Sequence, residues 1–126
     1  MNSLERPAKR FFDLVRERDR AGIAALLHPQ ITLSAQTIAD DFVGREDVMQ
    51  RFYDTVFAWT LYEAFAIDYQ QVGDDTVRAT GRLRWMSNGQ LHDVGAVWKL
   101  TFRDGQLFRL SSSTLAGSRS AELSPA

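Results

Sequence analysis

Leu4, Ala8, Phe11, Phe12 and Val15 recur at helical spacing, with Lys9, Arg10, Asp13, Arg16 and Glu17 filling the opposite side, so the chain opens with an amphipathic helix. Asp19 is placed to cap a second, short helix in which Ile23, Leu26 and Leu27 repeat before Pro29 stops it. His28, just ahead of that proline, suits the negative end of the helix dipole. Ile31 to Ala35 alternates apolar with polar and predicts a short, half-buried strand. From Thr37 to Val43 there is no clean period, which predicts a surface loop that Gly44 ends. Beyond it Val48, Met49, Phe52, Val56 and Trp59 form an apolar stripe among Arg45, Glu46, Asp47, Arg51 and Asp54, predicting a third helix from Arg45 to about Trp59.

The rest of the chain reads as a meander of strands, Tyr62–Val72, Thr76–Met86, Leu91–Phe102 and Leu107–Leu115. The breaks carry hairpin residues: Gly73-Asp74-Asp75, Asn88-Gly89 and Asp104-Gly105, with Gly117 after the last strand. Strands of this length predict strong twist, with bulges near Gly81 and Gly95. Helices early and strands late define an α+β fold in which one sheet face covers the helices. One domain spans residues 1–117, and the small, polar tail 118–126 is expected to be disordered.

Alternation also assigns faces. With Trp98 inward, His92, Val94, Ala96, Leu100 and Phe102 join it, while Asp93, Lys99 and Arg103 point out. The preceding strand groups Val77, Ala79, Gly81, Leu83 and Trp85 inside against Arg78, Thr80, Arg82 and Arg84 outside. In the last strand Phe108 and Leu110 continue to Ser112 and Thr114. An apolar cup results, with a few hydroxyls and one imidazole.

Composition narrows the chemistry. A chain of 126 residues suffices for one core without covalent staples, and with no cysteine there is no disulfide, thiolate metal site or cysteine nucleophile. Fifteen basic and 16 acidic residues, well mixed, give a net charge of -1, which argues against nucleic acid as a partner chosen by bulk charge. The first ten residues lack an apolar run and no later stretch could span a bilayer as a helix, so a cytoplasmic protein with no membrane attachment is expected. No cluster has metal-ligand spacing, no serine sits in a nucleophile elbow and no glycine-rich loop could cradle phosphate, so neither metal nor cofactor is expected.

The order of elements, with Asp19-Arg20-Ala21-Gly22-Ile23-Ala24-Ala25-Leu26-Leu27, then Phe42-Val43-Gly44-Arg45-Glu46-Asp47-Val48 and the closing run from Val97 to Leu107, resembles the nuclear transport factor 2-like, SnoaL-like superfamily. The resemblance covers Leu4 to about Leu115. It implies a cone-shaped α+β barrel, three N-terminal helices packed in the concave face of a highly curved, mostly antiparallel sheet. It does not imply a reaction, because the superfamily puts unrelated chemistries, or none, on this scaffold. Ketosteroid isomerases of this group use an aspartate base with a tyrosine and a protonated aspartic acid. Those positions fall here at or near Ser34, Phe11 and Trp98, so that set is missing. Cyclase and epoxide hydrolase relatives rely on acidic residues reaching the cavity from the strands, whereas the late strands here offer only Asp93 and the turn residue Asp104.

Candidate catalytic groups are therefore few. His92 could act as a general base on the inner face, or simply be a solvated strand-end imidazole. Asp40 and Asp41 could form an acid/base pair at the cavity mouth, or a solvated loop. Candidate ligand contacts are the rings of Tyr53, Trp59, Trp85, Trp98 and Phe108, with Leu110 and the hydroxyls of Ser34, Ser112 and Thr114. The readings left open are an acid/base enzyme acting on a small apolar, cyclic molecule, a non-catalytic binder of such a molecule, and an interaction module. A homodimer through the outer sheet face, with Met86, Val97 and Leu107 at its contact, accompanies all three.

Overall fold

The computed structural model describes residues 4–35, 41–53, 62–87 and 89–114. Helix α1 runs Glu5–Glu17 and buries Ala8, Phe11, Phe12, Leu14 and Val15 along one face, as the stripe predicts. Phe12 is 1% exposed, a burial that contributes on the order of 1.5–3 kcal/mol. Helix α2, Arg20–Leu26, is capped as expected, the Asp19 carboxylate accepting from the Gly22 N–H at 2.9 Å.

The chain then passes directly into strand β1, Leu27–Ala35, four residues earlier than alternation indicated. Leu27 leaves the helix because it pairs with Leu107 in a parallel ladder, a long-range contact that local pattern does not contain. Pro29 consequently lies in a strand, and His28 caps nothing: its Nδ1 accepts from the Gln30 N–H at 3.0 Å. The expected loop before Gly44 also closes with a two-residue strand, β2, Phe42–Val43, antiparallel to β1. Helix α3, Arg45–Asp47, has Gly44 at its N-cap and continues as a π-helical turn over Val48–Tyr53. Val48 and Met49 are buried. The Phe52 and Tyr53 side chains, Val56, Trp59 and the rest of the expected helix lie outside the described residues.

Strands β3 (Tyr62–Val72), β4 (Thr76–Ser87), β5 (Gln90–Arg103) and β6 (Gln106–Thr114) follow the predicted boundaries to within a residue or so. They complete a curved, six-stranded, mostly antiparallel sheet in the order β2-β1-β6-β5-β4-β3, an α+β cone with α1 packed on its concave face. The β5–β6 turn has the residues its shape requires, Asp104 at φ 53° and Gly105 at φ 78°. Two bulges deform the sheet. One inserts Ile67 into β3 beside Gly81, close to the expected place but on the neighbouring strand. The other inserts Phe108 into β6, since Thr101 pairs with Arg109 but Phe102 pairs with Leu107. No bulge forms near Gly95, where β4 and β5 stay in register from Thr76 to Ser87.

The second bulge changes the faces. Leu107, expected on the outer face as part of a dimer contact, is fully buried against the core instead. Phe108 is turned outward, edge-on to His28 at 5.0 Å and under the Arg103 guanidinium at 3.9 Å. Elsewhere the outer face follows alternation. Glu63, Arg84 and Asp93 occupy one row across β3, β4 and β5, with Arg84 3.3 Å from Glu63 and Arg82 3.0 Å from Asp93. The Arg82–Asp93 pair is exposed and worth about 0–1 kcal/mol, the Arg84–Glu63 pair is part-buried, and together they neutralise that end of the face.

Candidate functional site

The concave face is built by residues two apart on each strand. Trp98 on β5 is 4% exposed and meets the Phe12 ring edge-on at 4.9 Å, so α1 and the sheet are locked together at this indole. Ser112 on β6 sits opposite Trp98, and Leu110 is one inward position away. On β3, Tyr62 and Ala64 point the same way. With Phe11, Phe12, Val15 and Leu33 they enclose a cavity of about 30 Å³, room for about one water. Ala64, Ala79 and Ala96 are small, buried side chains of the same core.

Among the described residues, Tyr62 and Ser112 are the lining residues with a polar side chain. Tyr62 as a residue is only partly covered, yet its phenol is sunk into the protein, and that burial pushes its pKa up to about 12. It therefore stays protonated at neutral pH and can donate a hydrogen bond. Neither a carboxylate nor a cation lines the cavity among the described residues. Nor does any group of acidic or histidine side chains there have the arrangement to hold a metal ion.

Tyr62 belongs to a longer row, because it pairs with Trp85 and Trp85 pairs with His92. The Trp85 and His92 rings stack 4.7 Å apart at 13°, and both residues are half-buried. Thr114 faces inward opposite Ala96, deeper in the sheet but away from the cavity wall. Ser34 goes the other way: Ile31 and Leu33 take the inner face of β1, so Ser34 points outward, where its hydroxyl donates to Asp41 at 3.0 Å. Asp41 and His92 thus belong to opposite faces. Phe108 is excluded from the cavity by the β6 bulge. Asp40, Trp59 and the Tyr53 side chain lie outside the described residues.

Tyr62 is the residue that sequence reasoning passed over. Its signal was available, since alternation backwards from Ala66 through Ala64 carries the inner face to it. The α1 contribution, Phe11 and Phe12, was legible as a buried stripe but not as a cavity wall. A second depression, a wide-open groove of about 660 Å³, lies between α2, β2 and α3 with Pro29, Val43 and Met49 along it. Its Arg45 is already committed, Nε and Nη2 both donating to the Leu27 carbonyl at 3.0 and 2.8 Å.

Comparison with known proteins agrees with this architecture. The profile of the SnoaL-like domain matches residues 8–110. Among solved structures, an NTF2-like protein of unknown function from Burkholderia pseudomallei superposes with a TM-score of 0.81 at 14% identity, covering 99% of this chain and 100% of that one. A candidate SnoaL-like polyketide cyclase from a Jannaschia species gives 0.75 at 21% identity, covering 96% and 92%. TerC, co-crystallised with polyporic acid, gives 0.76 at 17% identity over 90% and 92%. Likeness at these identities is likeness of fold. No curated protein matches the chain by sequence.

Proposed function

The chain belongs to the SnoaL-like domain family, and from that premise we propose that its concave face binds a small, neutral, apolar ring compound, held by stacking and edge contacts and oriented by two hydroxyls. The observation that carries this reading is the cavity itself, where a buried indole, a protonated phenol and a serine hydroxyl converge between α1 and the sheet. Ionised ligands are disfavoured because no counter-charge lines the wall among the described residues, and burying an unpaired charge is costly. A ligand with a carbonyl or ether oxygen would accept from Tyr62 or Ser112. A ring is larger than one water, so its entry requires the side chains closing the cavity to shift outward. TerC, which shares this fold, was co-crystallised with polyporic acid, which supports a small-molecule ligand.

Turnover by proton transfer is a second reading, supported by the His92 imidazole in the same cross-strand row as Tyr62, three inward positions along β5 from Trp98. A homodimer through the neutral end of the outer face, around Met86 and Val97, belongs to the same reading, as does a cytoplasmic location. Titration with neutral cyclic ketones should quench or shift the tryptophan emission, and Trp98→Ala and Tyr62→Phe should each weaken that response at least fivefold. Unchanged emission across a panel of such compounds would reject the binding reading. His92→Ala should abolish turnover, and leave binding intact, only if the protein is an enzyme.

A further inference from the structure

The outer sheet face has two unlike halves. At one end Arg82 and Arg84 are neutralised by Asp93 and Glu63. At the other, Arg78, Lys99, Arg103 and Arg109 are exposed and have no ion pair among the described residues. They are also adjacent. Arg78 is directly opposite Lys99, while Arg109 lies opposite Thr101, diagonal to Lys99. Hydroxyls fill the gaps, with Thr101 and Thr76 3.1 Å apart and Ser111 opposite Lys99. The β6 bulge adds order to this cluster. By turning Phe108 outward it gives the Arg103 guanidinium a ring to lie on at 3.9 Å, with Arg109 at 5.8 Å from the same ring, so both heads are held over the surface.

We propose that this basic half of the outer face, centred on Lys99, Arg103 and Arg109, docks an acidic, extended polypeptide segment of a partner protein. Diagonal neighbours on adjacent strands are about 7 Å apart, as are alternate side chains of an extended chain, so carboxylates two residues apart match the spacing of the cations. Guanidinium forks pair with carboxylates in two-point geometry, and the threonine and serine hydroxyls donate to carboxylate or backbone oxygens. A second copy of this chain is a poor occupant, because a twofold axis through the patch would set cation against cation. Nucleic acid fits less well than a peptide. The aromatic ring of the patch is already covered by Arg103 and offers no stacking platform, and a long polyanion meets the net charge of -1 of the whole chain while a short acidic segment meets only the patch. This surface is on the opposite side of the sheet from the cavity, so the two proposals stand or fall separately.

The test is fluorescence anisotropy with a labelled peptide of alternating glutamate and glycine, measured at low salt and at 0.5 M salt, roughly a 4 Å Debye length. Saturable binding is expected at low salt and loss of at least tenfold in affinity at high salt. The double variant K99Q/R109Q should lose at least tenfold at low salt while keeping its melting temperature, since both side chains are exposed. Arg82→Gln, at the neutral end, should change affinity less than threefold. Absence of saturable binding, or equal affinity of K99Q/R109Q and the parent, overturns the proposal. A single-stranded oligonucleotide of equal charge binding more tightly than the peptide also overturns it, and assigns the face to nucleic acid.

Discussion

Replacing Gly81 by alanine tests the close approach of the β3 backbone to β4. A Cβ at residue 81 would lie 1.8 Å from the Phe65 carbonyl oxygen and 2.8 and 2.9 Å from the Phe65 carbonyl carbon and the Ala66 Cα. All three are backbone atoms of β3, so no side-chain rotation relieves the contact. The closest ordinary C···O approach between strands is about 3.3 Å, so β3 must retreat by about 1.5 Å beside the Ile67 bulge. That breaks or stretches the flanking ladder bonds, about 1 kcal/mol each, on top of the 1–3 kcal/mol typical of overpacking, for a total of about 3–4 kcal/mol. At this chain length the loss corresponds to roughly 10–15 °C in Tm. Urea titration followed by far-ultraviolet circular dichroism reads the change directly. The control is Gly105→Ala, at φ 78° with open space around it, where only the left-handed backbone is penalised, by about 1–2 kcal/mol. A Gly81→Ala loss below about 1 kcal/mol, or one no larger than the control, would refute the close approach of β3 to β4.

Trp98→Ala should destabilise by about 3–5 kcal/mol, because the indole is buried against Phe12, and thermal denaturation checks it. Tyr62, with its folded-state pKa raised to about 12 from an ordinary value near 10, contributes stability that is complete below pH 10 and is lost as pH rises through 12. Alkaline denaturation of Tyr62→Phe should therefore be flatter than that of the parent over this window, and superimposable curves would count against the buried phenol. Arg45→Lys should cost about 1–2 kcal/mol in urea titration, because an ammonium cannot reproduce the two-point donation to the Leu27 carbonyl. Asp19→Ala should cost about 1 kcal/mol through loss of the α2 cap, with Asp19→Asn retaining most of it.

Local chemistry carried most of the fold. The α1 stripe, the Asp19 cap, Gly44 ahead of α3 and the turn residues Asp104 and Gly105 all act within a few residues of themselves, and each was readable. What escaped depends on partners distant in the chain. Leu27 has helical spacing to Ile23 but is claimed by Leu107, and Phe108 has the right parity for the inner face but is displaced by the bulge opposite Thr101. One displaced residue reversed two assignments, Phe108 and Leu107, because strand faces alternate strictly. At the site, Trp98, Leu110 and Ser112 were visible as alternating inner positions. Ser34 was misplaced against a legible signal, because the alternation of Ile31 and Leu33 with Thr32 and Ser34 sets the serine on the outer side, where the structure has it.

The parallel pairing of β1 with β6 has a consequence for how this chain comes to be folded during its synthesis. In the finished sheet β6 is the strand that joins β1 and β2 to β5, β4 and β3. A nascent chain that has extended only through β5 has two sheet fragments with nothing between them, and Leu27 and Leu33 lack their neighbours Leu107 and Leu110. Closure of the cone must wait for the last strand to emerge, and it fixes contacts nearly eighty residues apart, the kind of non-local step that slows folding. Until then β1 and β5 each expose an unsatisfied edge, so the interval between synthesis of β5 and release of β6 is when this protein is most open to aggregation.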